Sequence, residues 1–140
     1  MKIAIGCDHG GISLKAEIVP LLQGLGHTVD DKGCFSTESV DYPDFAKAVC
    51  AQVQNGGCER GILICGTGVG MSMVANRFEG IRAALGNELF TARMSREHND
   101  ANVLCLGARV VGPGLAVEIV REWISTEFAG GRHQRRIDMF

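Results

Sequence analysis

The chain has 140 residues, 46% of them hydrophobic and 21% charged, which suits a single globular domain over residues 1–140. A formal net charge of −2 offers no general attraction to nucleic acid or an anionic membrane, so any anion site must be built from a few converging basic residues. No apolar run is long enough to span a bilayer, and the first residues enter a strand pattern rather than a signal peptide, so a cytoplasmic protein is expected.

Short apolar runs alternate with longer amphipathic stretches. Lys2–Cys7 reads as a strand, followed by a helix over Ile12–Leu25 and a strand at Thr28–Asp31. Pro20 falls inside that first helix and should kink it, although Ile18, Leu21, Leu22 and Leu25 keep one apolar face. A helix over Pro43–Asn55 precedes a strand at Gly61–Cys65, with Pro43 in a first-turn position and Gly56 just past the end. A helix over Gly70–Arg77, a strand at Ile81–Leu85 and a helix over Glu88–His98 follow, with Asn87 expected as N-cap. The strand Val103–Gly107 and a helix from Pro113 to Phe128 complete the series. No internal repeat is visible. Strict alternation predicts an α/β fold, a Rossmann-like three-layer α/β/α sandwich with a five-stranded parallel sheet. Ligands in such folds bind beyond the carboxyl ends of the strands.

Six cysteines, Cys7, Cys34, Cys50, Cys58, Cys65 and Cys105, show neither a C-x-x-C pair nor zinc-type spacing. Most lie in apolar runs and read as small core hydrophobes in a reducing compartment. Cys65 stands apart, because it ends a strand and is followed by Gly66-Thr67-Gly68-Val69-Gly70. Glycines let backbone N–H groups approach a ligand, and N–H groups at a helix start favour negative charge. The dinucleotide fingerprint is excluded by Met71 in place of its third glycine, and no Walker lysine follows. The segment is either a tight strand–helix turn around a packed thiol or a base beside an oxyanion hole, with Thr67 as an added hydroxyl donor.

Other candidates are spread along the chain. Asp8 and His9 follow the first strand and either hold sugar hydroxyls and phosphate or cap the next helix. A mixed zinc site from Asp8, His9, Cys65 and His98 has no supporting spacing, and no metal is expected. His98 closes a helix, where it complements the dipole or serves as a general acid or base. Arg132 and Arg136 are four apart and share a face on a helical turn, as a phosphate grip or a solvated basic tail.

Together, GCDHGG near the start, DYPDFA at 41–46, GILICGTGVGMSMVANR at 61–77, SREHNDANVLCLGARVVG at 95–112 and GGRHQRR at 130–136 resemble the ribose-5-phosphate isomerase B family. That family also includes galactose-6-phosphate and allose-6-phosphate isomerases. The resemblance implies a cofactor-free aldose–ketose isomerase acting through an enediolate. It implies Cys65 as base, Gly66, Thr67, Gly68, Val69 and Gly70 as the enediolate loop, and His98 as the ring-opening group. Asp8 and Asn99 would hold sugar oxygens, and His9, Arg109, Arg132 and Arg136 the phosphate. One branch of the family uses a glutamate one residue past the glycine loop. Met71 occupies that place here, which puts this chain with the thiol branch. The resemblance further implies a homodimer or homotetramer with shared active sites, His98, Asn99 and Arg109 being the borrowed residues. Two rivals stand beside ribose 5-phosphate isomerisation: a six-carbon sugar phosphate as substrate, and a non-catalytic phosphate-binding module on the same fold.

Overall fold

In the computed structural model, which describes residues 1–140, five parallel strands form one sheet in the order β2-β1-β3-β5-β4. The strands are β1 (Lys2–Cys7), β2 (Thr28–Asp31), β3 (Arg60–Cys65), β4 (Ala83–Leu85) and β5 (Val103–Gly107). Helices α1 (Ile12–Gly24), α2 (Tyr42–Gln54), α3 (Val69–Ala75), α4 (Leu89–Glu97), α5 (Pro113–Ser125) and α6 (Arg132–Ile137) surround it. The predicted three-layer sandwich is the observed architecture.

The alternation of side chains along a strand sorts the core into two layers. Ile3, Ile5, Ile62, Ile64, Leu104 and Leu106 face one side, where they bury Ile18 and Leu22 of α1 and Ile119 and Trp123 of α5. Ala4, Leu63, Cys65, Val103 and Cys105 face the other, against Ala46, Val49 and Cys50 of α2 and Met71 and Ala75 of α3. Because β1, β3 and β5 are covered on both faces, their sequences read as nearly unbroken apolar runs. Cys65 therefore leaves the sheet on the α2–α3 side, at its carboxyl edge.

Four sequence expectations are adjusted. Glu88, not Asn87, caps α4, because its two carboxylate oxygens each reach an amide, Phe90 N–H and Thr91 N–H. Pro20 remains within α1, on its exposed side, and the helix continues past it to Gly24. Helix α5 stops at Ser125, where buried Arg60 donates from Nη1 to the Trp123 and Ile124 carbonyls at 3.1 and 2.9 Å. Helix α6 was foreseen only as a helical turn carrying Arg132 and Arg136. No helix is long and apolar enough to cross a membrane.

Candidate active site

The carboxyl edge is built from three touching loops. At the end of β3, Cys65 is 5% exposed and its Sγ accepts a hydrogen bond from Gly68 N–H at 3.1 Å. That reach depends on Gly68 adopting φ +77°, against Leu85 and the Leu106 carbonyl carbon, where a Cβ would lie 2.6 Å from Leu85 Cδ1. Helix α3 has only seven residues, so the loop's own amides, more than a helix dipole, supply local positive character. Thr67 is exposed with its Oγ1 accepting from Val69 N–H at 3.3 Å, and Val69 and Gly70 form the first turn of α3.

The loop after β5 lies directly on this one. Ala108 N–H donates to the Cys65 carbonyl and Arg109 N–H to the Gly66 carbonyl, at 2.8 and 3.0 Å. Gly107 permits the approach, since a Cβ there would sit 2.6 Å from the Thr67 carbonyl. The Arg109 side chain covers Gly66, with Cδ and Nε 3.6 and 3.7 Å from where a Cβ would be. The resemblance groups Arg109 with His98 and Asn99 as a borrowed residue. Its place is beside the Cys65 loop of its own chain.

The loop after β1 adds the third wall. Asp8 is almost buried, its Oδ1 accepts from Gly10 N–H at 2.9 Å, and Asp8 N–H donates to the Ile64 carbonyl at 3.1 Å. This is the helix-capping role anticipated for Asp8, and it also seats the loop beside Gly66. His9 Nδ1 accepts from Val40 N–H at 3.2 Å, so a neutral ring carries its hydrogen on Nε2. Tyr42, to which the sequence reading gave no role, opens α2 with its ring over Gly70, where a Cβ would lie 2.6 Å from Cζ and 2.8 Å from Oη. Pro43 in DYPDFA marks the helix start, but nothing local announces the contact of Tyr42 with Gly70.

The remaining predicted residues lie elsewhere. Helix α4 runs back against the strand direction, so His98, its C-cap, lies at the amino edge just before β5. Exposed Asn99 follows it. Ala129 N–H donates to the Glu97 carbonyl at 3.0 Å and brings the C-terminal segment alongside. There the His133 ring stacks on His98 with centroids 4.1 Å apart and planes 9° apart. Desolvation holds His133 below the usual imidazole range, aided by the positive potential of His98, Arg132 and Arg136. Arg132 and Arg136 are exposed on α6, so this edge carries a cationic group beside an imidazole. A strand the length of β3 spans roughly 17 Å, so the Cys65 loop and the His98 group lie at opposite edges of the sheet.

His98 is thus not brought to Asp8, His9 and Cys65 within one chain, and no cluster of three or more His, Cys, Asp or Glu side chains suited to a metal ion is present. The other thiols behave as packing groups. Burial pushes Cys7 up to about 12 and Cys50 up to about 11, and raises Cys105 further.

The sequence matches the family model described as Ribose/Galactose Isomerase over residues 3–140. It is 53% identical over 137 residues to ribose-5-phosphate isomerase B of Escherichia coli, covering 98% of this chain and 92% of that protein. A D-erythrulose-4-phosphate isomerase of Pectobacterium atrosepticum is 44% identical over 139 residues, covering 99% of this chain and 91% of that protein. Among solved structures, ribose-5-phosphate isomerase B of Clostridium thermocellum superposes with a TM-score of 0.98 at 55% identity, covering 99% of this chain and 94% of that one.

Proposed function

The chain belongs to the ribose/galactose isomerase family and is an aldose–ketose isomerase of sugar phosphates, and from that premise we propose that it interconverts ribose 5-phosphate and ribulose 5-phosphate. The observation that carries the reading is Cys65, whose sulfur receives Gly68 N–H beneath a glycine loop walled by Asp8, His9, Tyr42 and Arg109. A thiolate there removes the C2 proton of the open-chain aldose. The amides of Gly66–Gly70, with the Thr67 hydroxyl, face the enediolate oxygen, and Cys65 returns the proton to C1 while the O2 hydroxyl proton passes to O1. His98 opens the furanose by accepting the anomeric hydroxyl proton and protonating the ring oxygen, which an imidazole can do near neutrality. His9, Arg109, Arg132 and Arg136 take the phosphate, and Asp8 and Asn99 the sugar oxygens.

The two half-sites of a chain lie at opposite edges, so a second copy supplies His98, Asn99, Arg132 and Arg136 to each Cys65 loop. The assembly is a homodimer, or a homotetramer built from such dimers. No metal or organic cofactor enters this scheme. Six free, buried thiols suit a reducing compartment and support a cytoplasmic location.

Relatives named for five-carbon and four-carbon sugar phosphates make chain length the open variable, and the higher identity lies with the ribose-5-phosphate isomerase. The test is chelator-treated protein assayed with ribose 5-phosphate and with four- and six-carbon aldose phosphates. The highest kcat/KM is expected for ribose 5-phosphate. A higher value for allose 6-phosphate or galactose 6-phosphate transfers the assignment to six-carbon substrates, and no turnover of any of them leaves a binding module.

A further inference from the structure

The amino-edge half-site hangs on a single turn, His98-Asn99-Asp100. Asp100 has φ +45°, and it is the one non-glycine residue of the chain with a positive φ. A β-carbon is disfavoured in that region, so the surroundings must hold the turn in place. Two arginines do so. Asp100 Oδ1 accepts from Arg96 Nη1 at 2.8 Å and Oδ2 from Arg82 Nη2 at 3.0 Å. The same guanidiniums reach the backbone. Arg82 Nε donates to the Asn99 carbonyl and Arg82 Nη2 to the Asp100 carbonyl, both at 2.9 Å, and Arg96 Nη1 to the Ala101 carbonyl at 2.6 Å. Asn102 ties the far side, its Oδ1 accepting from Arg82 N–H at 2.8 Å and its Nδ2 donating to the Gly80 carbonyl at 2.8 Å. Arg96 is buried with a side chain 6% exposed, so its charge must be answered, and Asp100 is its ion-pair partner.

None of these groups has a part in the isomerisation chemistry, yet together they fix the direction in which the chain leaves His98. We propose that Asp100, clamped between Arg82 and Arg96, is a positioning residue that aims His98 into the site completed by a second copy. The His133 stack restrains the ring of His98 and the clamp restrains its backbone. This rests on His98 as the ring-opening group.

The test reads two activities that depend differently on ring opening. Turnover of ribose 5-phosphate needs it. Exchange of the C1 proton of ribulose 5-phosphate with deuterated water needs only the base, since the ketose is open-chain. Asp100→Asn keeps the shape and tolerates a positive φ but leaves a buried guanidinium without its anion. Arg82→Lys keeps the charge and loses the fork that holds two carbonyls and a carboxylate together. Each is expected to lower kcat for ribose 5-phosphate about tenfold, a misplacement cost, while exchange stays within about twofold of wild type. His98→Asn/Asp100→Asn is expected to be no slower than His98→Asn alone, because Asp100 acts through His98.

A wild-type rate in Asp100→Asn or in folded Arg82→Lys, beside a slow His98→Asn, overturns the positioning role and spares the ring-opening reading. A wild-type rate in His98→Asn overturns that reading itself. Losses that multiply in the double variant also overturn the positioning role. If Asp100→Asn fails to fold, Arg82→Lys, at a side chain 24% exposed, carries the same comparison.

Discussion

Cys65 differs from its fellow thiols in what its sulfur touches. Cys7 Sγ donates to the Cys34 carbonyl, and Cys50 and Cys105 are wholly enclosed, all three with pKa values raised by burial, so they remain thiols at neutral pH. Cys65 instead accepts an amide hydrogen bond from Gly68, at the edge of the glycine loop. Cys65→Ala should therefore lower kcat by at least about a hundredfold, with KM changed less than about twofold. It should also abolish C1 exchange of ribulose 5-phosphate in deuterated water. Retained exchange would show that another group moves the proton. The Cys65 loop was legible because strand end, thiol and glycines adjoin along the chain. Tyr42 over Gly70, His133 on His98 and Arg109 over Gly66 are contacts between distant segments, and no local pattern announces them.

At the level of elements, the long apolar periodic segments announced themselves, while the ends were set by particular side chains. Glu88 took the cap from Asn87 because one carboxylate answers two amides, and those hydrogen bonds, the Thr91 one first, hold its pKa below the usual carboxylate range. Helix α6 buries only Ile137, too little apolar periodicity to read, yet it carries both candidate phosphate arginines. Two histidines at element boundaries should make the fold sensitive to acid. His27 Nδ1 lies 3.3 Å from the Met1 ammonium, and desolvation, then the charges of the N-terminus and Arg60, lower its pKa below 6.5. His133 is lowered in the same sense by desolvation and its cationic neighbours. A folded pKa below the unfolded one means that the unfolded chain takes up protons first. This contribution to stability is complete above the ordinary histidine pKa and is lost as pH falls through the lowered folded values. The thermal midpoint should drop between about pH 7.5 and 5.5. His27→Gln should make that drop smaller, and an unchanged drop would assign the acid sensitivity to other groups.

On the scale of the whole molecule, a parallel sheet has a direction, and this one sends Cys65 to one edge and His98 to the other. The fold class was legible from strict alternation, whereas the strand order β2-β1-β3-β5-β4 depends on which runs pair through space. His98, Asn99, Arg132 and Arg136 lie on the side opposite Cys65, whereas Arg109 lies over Gly66 beside it. Mixing Cys65→Ala with His98→Asn under subunit exchange should restore about a quarter of wild-type activity, because half the dimers are hybrids with one intact site of two. Inactive mixtures despite proven exchange would place both groups in a site confined to one subunit. The direction of the sheet has one more consequence. If both subunits grip the phosphate, His9 and Arg109 from one and Arg132 and Arg136 from the other, substrate is itself a cross-link. By mass action it would shift the monomer–dimer equilibrium towards assembly, so a pool rich in sugar phosphate would build more of the catalyst that consumes it.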